Sequence, residues 1–219
     1  MNALTLQNVS YIYPGGTAPV VKDASYAFET GKLYAIVGPS GSGKSTLLSM
    51  LAGLDAPGEG EVRLGEENLK NLDLDRYRRE SVSIIFQAFC LLPLLTVREN
   101  VCLPMEMQGV PEGEARKRAA EALEKVGIEE SKHRRFPSAL SGGEQQRVAI
   151  ARSLCSGAPV LLADEPTGNL DGENTKIVMD ILHRLAHEEG RCVIVVTHDP
   201  EAAERADRVL RMKDGVLTA

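Results

Sequence analysis

The stretch Gly38-Pro39-Ser40-Gly41-Ser42-Gly43-Lys44-Ser45-Thr46 constrains this chain more than any other. It reads as a glycine, four residues, Gly-Lys and then Ser. The apolar run Leu33 to Val37 leads into it, and a helix-compatible run, Lys44 to Ala52, leads out. Strand, glycine-rich loop and helix in that order form the context a phosphate-binding P-loop requires. Glycines let the backbone come close to a polyphosphate and take φ values that other residues avoid. Successive N–H groups then converge on an anion at the positive end of the following helix. In such a loop Lys44 supplies a mobile positive charge for the β- and γ-phosphates, and the Ser45 hydroxyl supplies a ligand for Mg²⁺. A flexible Gly/Ser turn is the competing reading, and the complete, correctly flanked motif opposes it.

The rest of the chain has the rhythm such a loop needs. Residues 3–9 alternate apolar and polar as a strand does. Tyr11-Ile12-Tyr13 runs into the turn signal Pro14-Gly15-Gly16. Strands are predicted over Val20–Phe28, Glu61–Leu64, Val82–Phe86, Val160–Ala163 and Cys192–Val196, with a closing hairpin of Arg208–Met212 and Val216–Leu217 around Asp214-Gly215. Helices are predicted over 112–126, with Ala115, Ala119, Ala122, Leu123 and Val126 on one stripe, and from Ser141-Gly142-Gly143 to about Ser156. Two more are predicted, over Gly172–Glu189, with Ile177, Ile181, Leu182 and Leu185 inward, and over Pro200–Ala206. Residues 88–111 carry prolines at 93, 104 and 111 and show no clear strand. Near-continuous apolar strands alternating with helices imply a largely parallel sheet. The expected fold is therefore α/β, a P-loop NTPase core with an antiparallel β part at its N-terminus and a helical insertion. With 219 residues the chain is expected to form one domain, a core of about 1–87 and 158–219 interrupted by a helical subdomain of about 88–157.

Composition excludes more than it selects. A net charge of −6 opposes a general nucleic-acid binder, while a phosphate ligand needs only local positive potential. No apolar run approaches the roughly 18 residues that span a bilayer, and the N-terminal residues lack the basic region and apolar core of a signal peptide. The chain is therefore expected in the cytoplasm. Cys90, Cys102, Cys155 and Cys192 have neither Cys-x-x-Cys nor zinc-finger spacing and read as reduced, small apolar residues.

Two further stretches carry chemistry. Pro159-Val160-Leu161-Leu162-Ala163-Asp164-Glu165-Pro166 is an apolar strand ending in two acids. Ligands gather at the carboxyl ends of parallel strands. Asp164 is thus placed to hold Mg²⁺ or its water shell, and Glu165 to polarise an attacking water. Leu140-Ser141-Gly142-Gly143-Glu144-Gln145-Gln146-Arg147 sets a serine and two glycines before a helix, which reads either as a second anion nest or as an N-cap and turn.

LSGGEQQR resembles the signature motif of the ATP-binding-cassette (ABC) ATPases. The order of P-loop, Gln87, signature, Asp164-Glu165, Asp171 and His198 is similar to that family's complete set, over essentially the whole chain. The resemblance implies ATP and Mg²⁺ as ligands. Gly38 to Thr46 would hold the phosphates, Ser45, Gln87 and Asp164 the metal, and Tyr13 would stack on adenine, with Tyr11 the other candidate. It implies that Lys44, Glu165 and His198 carry catalysis, His198 at the γ-phosphate, and that Asp171 lies at a dimer contact. It further implies a head-to-tail homodimer in which Ser141, Gly142 and Gly143 of one copy close over ATP held by the other.

Phe86-Gln87-Ala88-Phe89, Leu91-Leu92-Pro93, Leu95 to Val101, LSGGEQQRVAIARSL and ADEPTGNLD resemble the lipoprotein-releasing, macrolide-export and cell-division branch. That branch implies an FtsX-like permease docked near residues 88–107 and a peripheral place on the inner face of the membrane. It implies export or extraction of a lipid, lipoprotein, peptide or drug, or alternatively mechanotransmission to extracellular cell-wall enzymes without transport. Cys90 stands where a polar residue is the norm. The long coiled-coil insertions of the DNA-repair members and the tandem cassettes of the translation members are not seen here.

Overall fold

The computed structural model describes residues 2–219. The elements in chain order are β1 (Asn2–Tyr11), β2 (Val21–Glu29), β3 (Lys32–Val37), α1 (Lys44–Leu51), β4 (Glu59–Leu64), β5 (Glu67–Asn68), α2 (Leu74–Glu80) and β6 (Val82–Phe86). Then come α3 (Val97–Met107), α4 (Glu112–Lys125), α5 (Gly142–Cys155), β7 (Val160–Asp164), α6 (Gly172–His187), β8 (Cys192–Thr197), α7 (Pro200–Ala203), β9 (Arg208–Lys213) and β10 (Val216–Thr218).

The strands form two sheets. One is antiparallel, in the order β2-β1-β4-β5. The other runs β10-β9-β3-β8-β7-β6 and is parallel from β9 to β6, with β10 antiparallel at its edge. The parallel strands are apolar at nearly every position because both faces are covered. Leu161 and Ala163 of β7 and Val193 and Val195 of β8 point into the core under α3–α6. The alternate residues Val160, Leu162, Ile194 and Val196 point into a second core under the antiparallel sheet and α1.

The register of this sheet positions the functional groups. Val37 pairs with Thr197, Val196 with Asp164, and Asp164 with Phe86. The P-loop, His198, Glu165 and Gln87 each follow one of these paired ends, so four segments distant in sequence leave the sheet along one edge.

The structure departs from the sequence reading in four places. Val97–Met107 is an eleven-residue helix that contains Pro104, within residues 88–111, where the sequence shows no clear strand. Its N-terminus is a capping box, with Thr96 and Glu99 bonding each other's backbone N–H. The short helix Leu74–Glu80, capped by Asp73, was likewise not anticipated. On α6 the inward residue is Val178, buried completely, whereas Ile177 is exposed. The predicted helix over Pro200–Ala206 ends at Ala203. α3, α4 and α5 pack on one another and share the core beneath α6.

Candidate functional site

A cleft of about 850 Å³ opens at the carboxyl edge of the parallel sheet. The P-loop forms its floor, and Tyr13, Gln87, Glu165 and His198 line its walls. The loop's glycines are required for different reasons. A Cβ on Gly38 would lie 2.0 Å from the Met212 carbonyl oxygen of β9, so the loop leans directly on that backbone. Gly43 has φ +101° and would meet the Val20 carbonyl at 2.5 Å. Gly41, at φ +77°, faces open space and is needed for its conformation alone. Pro39, Ser40, Gly41, Gly43, Lys44, Ser45 and Thr46 line the cleft, whereas Gly38 and the buried Ser42 do not.

Lys44 is buried, and its Nζ donates to the carbonyls of Gly38 at 2.8 Å and Pro39 at 3.1 Å. The ammonium is thereby held over the loop rather than free in solvent. No side chain caps α1, whose N-cap is Gly43, and no acid stands in its first turn, so its positive end faces the cleft uncompensated. Ser45 Oγ donates to Asp164 Oδ1 at 3.0 Å. Burial raises the Asp164 carboxyl above its ordinary range, and the Ser45 hydroxyl opposes the rise. Two oxygens on one Mg²⁺ in octahedral geometry stand ~2.9 Å apart, so this pair fits such an ion, whose charge would offset the burial of Asp164.

Glu165 adopts φ +47°, in the left-handed region. Its side chain is turned toward β8, where Oε2 accepts from the His198 backbone N–H at 3.3 Å and stands 3.0 Å from His198 Nδ1. Two residues from adjacent strand ends thus form one polar pair facing the cleft. Gln87 is joined to the loop after β7: Nε2 donates to Asn169 Oδ1 at 3.4 Å, and Asn169 Nδ2 donates back to the Gln87 carbonyl at 3.3 Å. Of the two tyrosines, Tyr13 lines the cleft, half-exposed, with its hydroxyl 2.7 Å from Thr46 Oγ1. Tyr11 is buried edge-on behind it, with ring centroids 5.1 Å apart.

The remaining predicted residues are not brought into the cleft. Ser141 caps α5: its Oγ accepts from Glu144 N–H, and Glu144 Oε2 accepts from Ser141 N–H at 2.9 Å. Glu144 Oε1 also pairs with Lys132 at 2.6 Å. That hydrogen bond, followed by the Ser141 N–H, pulls the Glu144 carboxyl down to about 2. The positive end of α5 is thus partly occupied by the chain's own carboxylate. Asp171 caps α6 through Asn174 N–H at 2.8 Å, a bond that lowers its carboxyl below the ordinary range. Asn174 Oδ1 also accepts from Arg147 at 3.0 Å. A Cβ on Gly143 would stand 2.2 Å from that same oxygen, so the starts of α5 and α6 interlock. Arg147 and Asn169 stand within quoted motifs without a role read from them, and Asn174 is in none, because the partners of an amide or a guanidinium lie far along the chain.

Comparison with known proteins gives the same picture from outside. The family model described as "ABC transporter" matches residues 21–168, more than half of the chain. The chain is 42% identical over 218 residues to the ABC transporter ATP-binding protein YclH of Bacillus subtilis, covering 100% of this chain and 96% of that one. It is 43% identical to the ABC transporter ATP-binding protein MJ0796 of Methanocaldococcus jannaschii, covering 97% and 94%. The dimeric structure of that cassette superposes with a TM-score of 0.89 at 40% identity, covering 98% and 96%, and the cassette is also known in a post-hydrolysis state bound to ADP and Pi. Over 98% of its length the chain is 44% identical to the macrolide export ATP-binding/permease protein MacB of Shigella flexneri, of which it spans 34%. With its P-loop cleft, its signature helix and these relatives, the chain belongs to the ABC transporter family as an ATP-binding, ATP-hydrolysing cassette of the branch that includes MacB.

Proposed function

We propose that the chain works as a head-to-tail homodimer that hydrolyses ATP in two shared clefts and drives an FtsX-like permease. The observation that carries this reading is the division of the predicted residues. The cleft gathers the P-loop, Gln87, Glu165 and His198, whereas Ser141–Gly143 and Asp171 stand at helix starts outside it. One chain therefore covers one side of a bound triphosphate, and the second group is supplied by another copy. The dimeric state of the MJ0796 cassette supports the pairing.

Within each cleft Lys44 and the loop N–H groups hold charge on the β- and γ-phosphates, and Tyr13 stacks on the adenine. Ser45, Gln87 and Asp164 hold the metal. Mg²⁺, when bound, neutralises phosphate charge and orients the group to be transferred. Glu165 orients the attacking water and accepts its proton, and His198 steadies the γ-phosphate. Phosphoryl transfer demands mainly positioning and charge stabilisation, which this set offers.

No helix among the described residues is long and apolar enough to cross a membrane; the membrane step is assigned to a permease. The joined ATP-binding/permease name of MacB supports a permease as that partner. Within the helical unit of about 88–157, residues 88–107 form the docking segment. Leu94 is 88% exposed and Met107 64%. Met107 also borders an apolar groove with Leu103, Pro104, Val82 and Ile84. The chain then sits on the inner face of the membrane, and the cargo is a lipid, lipoprotein, peptide or drug selected by the permease. Specific ATPase activity measured against protein concentration tests the shared cleft. It should rise across the monomer–dimer range, and a constant value would overturn the dimer reading. Co-purification from membranes should recover a four-helix permease.

A further inference from the structure

A second polar cluster stands apart from the nucleotide cleft. His183 and His187 lie one turn apart near the C-terminal end of α6, with their rings stacked at 4.0 Å between centroids. Asp207 precedes β9 and faces them. Each of the three offers one ligand atom, and these atoms lie within 4.8 Å of one another. All three residues are exposed, so an ion can reach them from solvent.

The outer contacts of the cluster are set as those of a metal centre are. A ligating imidazole ordinarily donates its other ring N–H to a carbonyl or carboxylate, which fixes the tautomer and leaves the ligating nitrogen unprotonated. Here His187 Nδ1 stands 2.9 Å from the His183 carbonyl oxygen, and His187 Nε2 points at Asp207 Oδ1, 3.0 Å away. The second oxygen of Asp207 is held by the Leu33 backbone N–H at 2.7 Å, and its own N–H bonds the Leu33 carbonyl at 2.8 Å. Both ligands are thus oriented by backbone groups before any ion arrives. Ligand atoms on one tetrahedral Zn²⁺ stand ~3.3 Å apart, from bonds of about 2.0–2.1 Å. The His187–Asp207 pair, at 3.0 Å, needs to open by a few tenths of an ångström, and His183, within 4.8 Å of the others, closes by up to ~1.5 Å through side-chain rotation.

We infer that His183, His187 and Asp207 form a binding site for a borderline divalent cation of the Zn²⁺ class, with the fourth position open to water. Two imidazoles and one carboxylate match the preference of Zn²⁺ rather than of Mg²⁺ or Ca²⁺, which favour all-oxygen sets. The ion would staple the end of α6 to the β3–β9 pair at Leu33. That point is the end of β3 opposite the P-loop, away from the nucleotide cleft.

The test is calorimetric titration of the untagged 219-residue chain with ZnCl₂ in saturating Mg²⁺ and ADP. One equivalent should bind per chain, and bound Zn²⁺ should raise Tm by roughly 5 °C. His183→Gln keeps the His187–Asp207 pair and every backbone bond. Its metal-free Tm should equal that of the parent, while its zinc affinity falls at least about tenfold. X-ray absorption at the zinc edge should show nitrogen and oxygen neighbours. Equal affinity in His183→Gln, no zinc binding by the parent chain, or sulfur neighbours from a cysteine would each overturn the assignment.

Discussion

α1 and α5 both begin at Gly- and Ser-rich motifs, yet their positive ends are treated in opposite ways. α1 has no side-chain cap and no acid in its first turn, and Lys44 adds to its potential. α5 is capped by Ser141, and its dipole is met by Glu144, itself paired with Lys132. The first end is built to receive an anion from outside. The second already carries one and is locked in shape by it. Similar motifs therefore mark two kinds of helix start, one open and one preorganised, and only the pattern of side-chain hydrogen bonds separates them.

The largest effect that would break this contrast lies on the open side. Glu165→Gln should retain nucleotide binding but lower the rate of phosphate release by on the order of 10²–10⁴-fold, the usual worth of a positioned general base. Near-normal turnover would remove Glu165 from the role proposed for it. Gly38→Ala comes next, because its Cβ would drive into the Met212 carbonyl. It should cost about 3 kcal/mol in denaturant unfolding. Gly41→Ala, where only the backbone conformation resists, should cost about 1–2 kcal/mol. Equal losses at the two positions would show that packing on β9 does not shape the loop.

On the preorganised side, Ser141→Ala should cost about 1 kcal/mol, a drop of roughly 2–4 °C in Tm, with monomer nucleotide binding unchanged. The last expected effect is a pH dependence. The Glu144 carboxyl is held at about 2 in the folded chain against an ordinary 4.5. Its contribution to stability is complete above the ordinary value and is lost as pH falls from about 4.5 toward 2. The stability of Glu144→Gln relative to the parent should therefore improve across that window and stay level above it, as read from urea midpoints.

The parallel sheet was legible because burial on both faces leaves a plain apolar run, as in Val160–Asp164 and Cys192–Thr197. The cleft followed, since the motifs sit where those runs stop. Residues 97–107 were obscured by Pro104, although Thr96 and Glu99 stand at capping-box spacing and marked the helix start. Ile177 went astray because adjacent residues on a helix differ by about 100° in direction; the apolar stripe of α6 passes through its neighbour, Val178. The left-handed backbone of Glu165 and the double role of Asn174 depend on partners far along the chain, and no local pattern encodes them.

The contact between Gly38 and Met212 carries a consequence for the order in which the molecule can be made. The phosphate loop leaves the ribosome well before the strand it leans on, which begins only at Arg208. β3 also finds both of its sheet neighbours, β8 and β9, only after residue 191. A nascent chain therefore displays the complete loop sequence long before it owns a nucleotide site. Competence arrives abruptly, when β8 and β9 zip into place beside β3, and a chain cut short before β9 would keep the motif while lacking the surface that gives it shape.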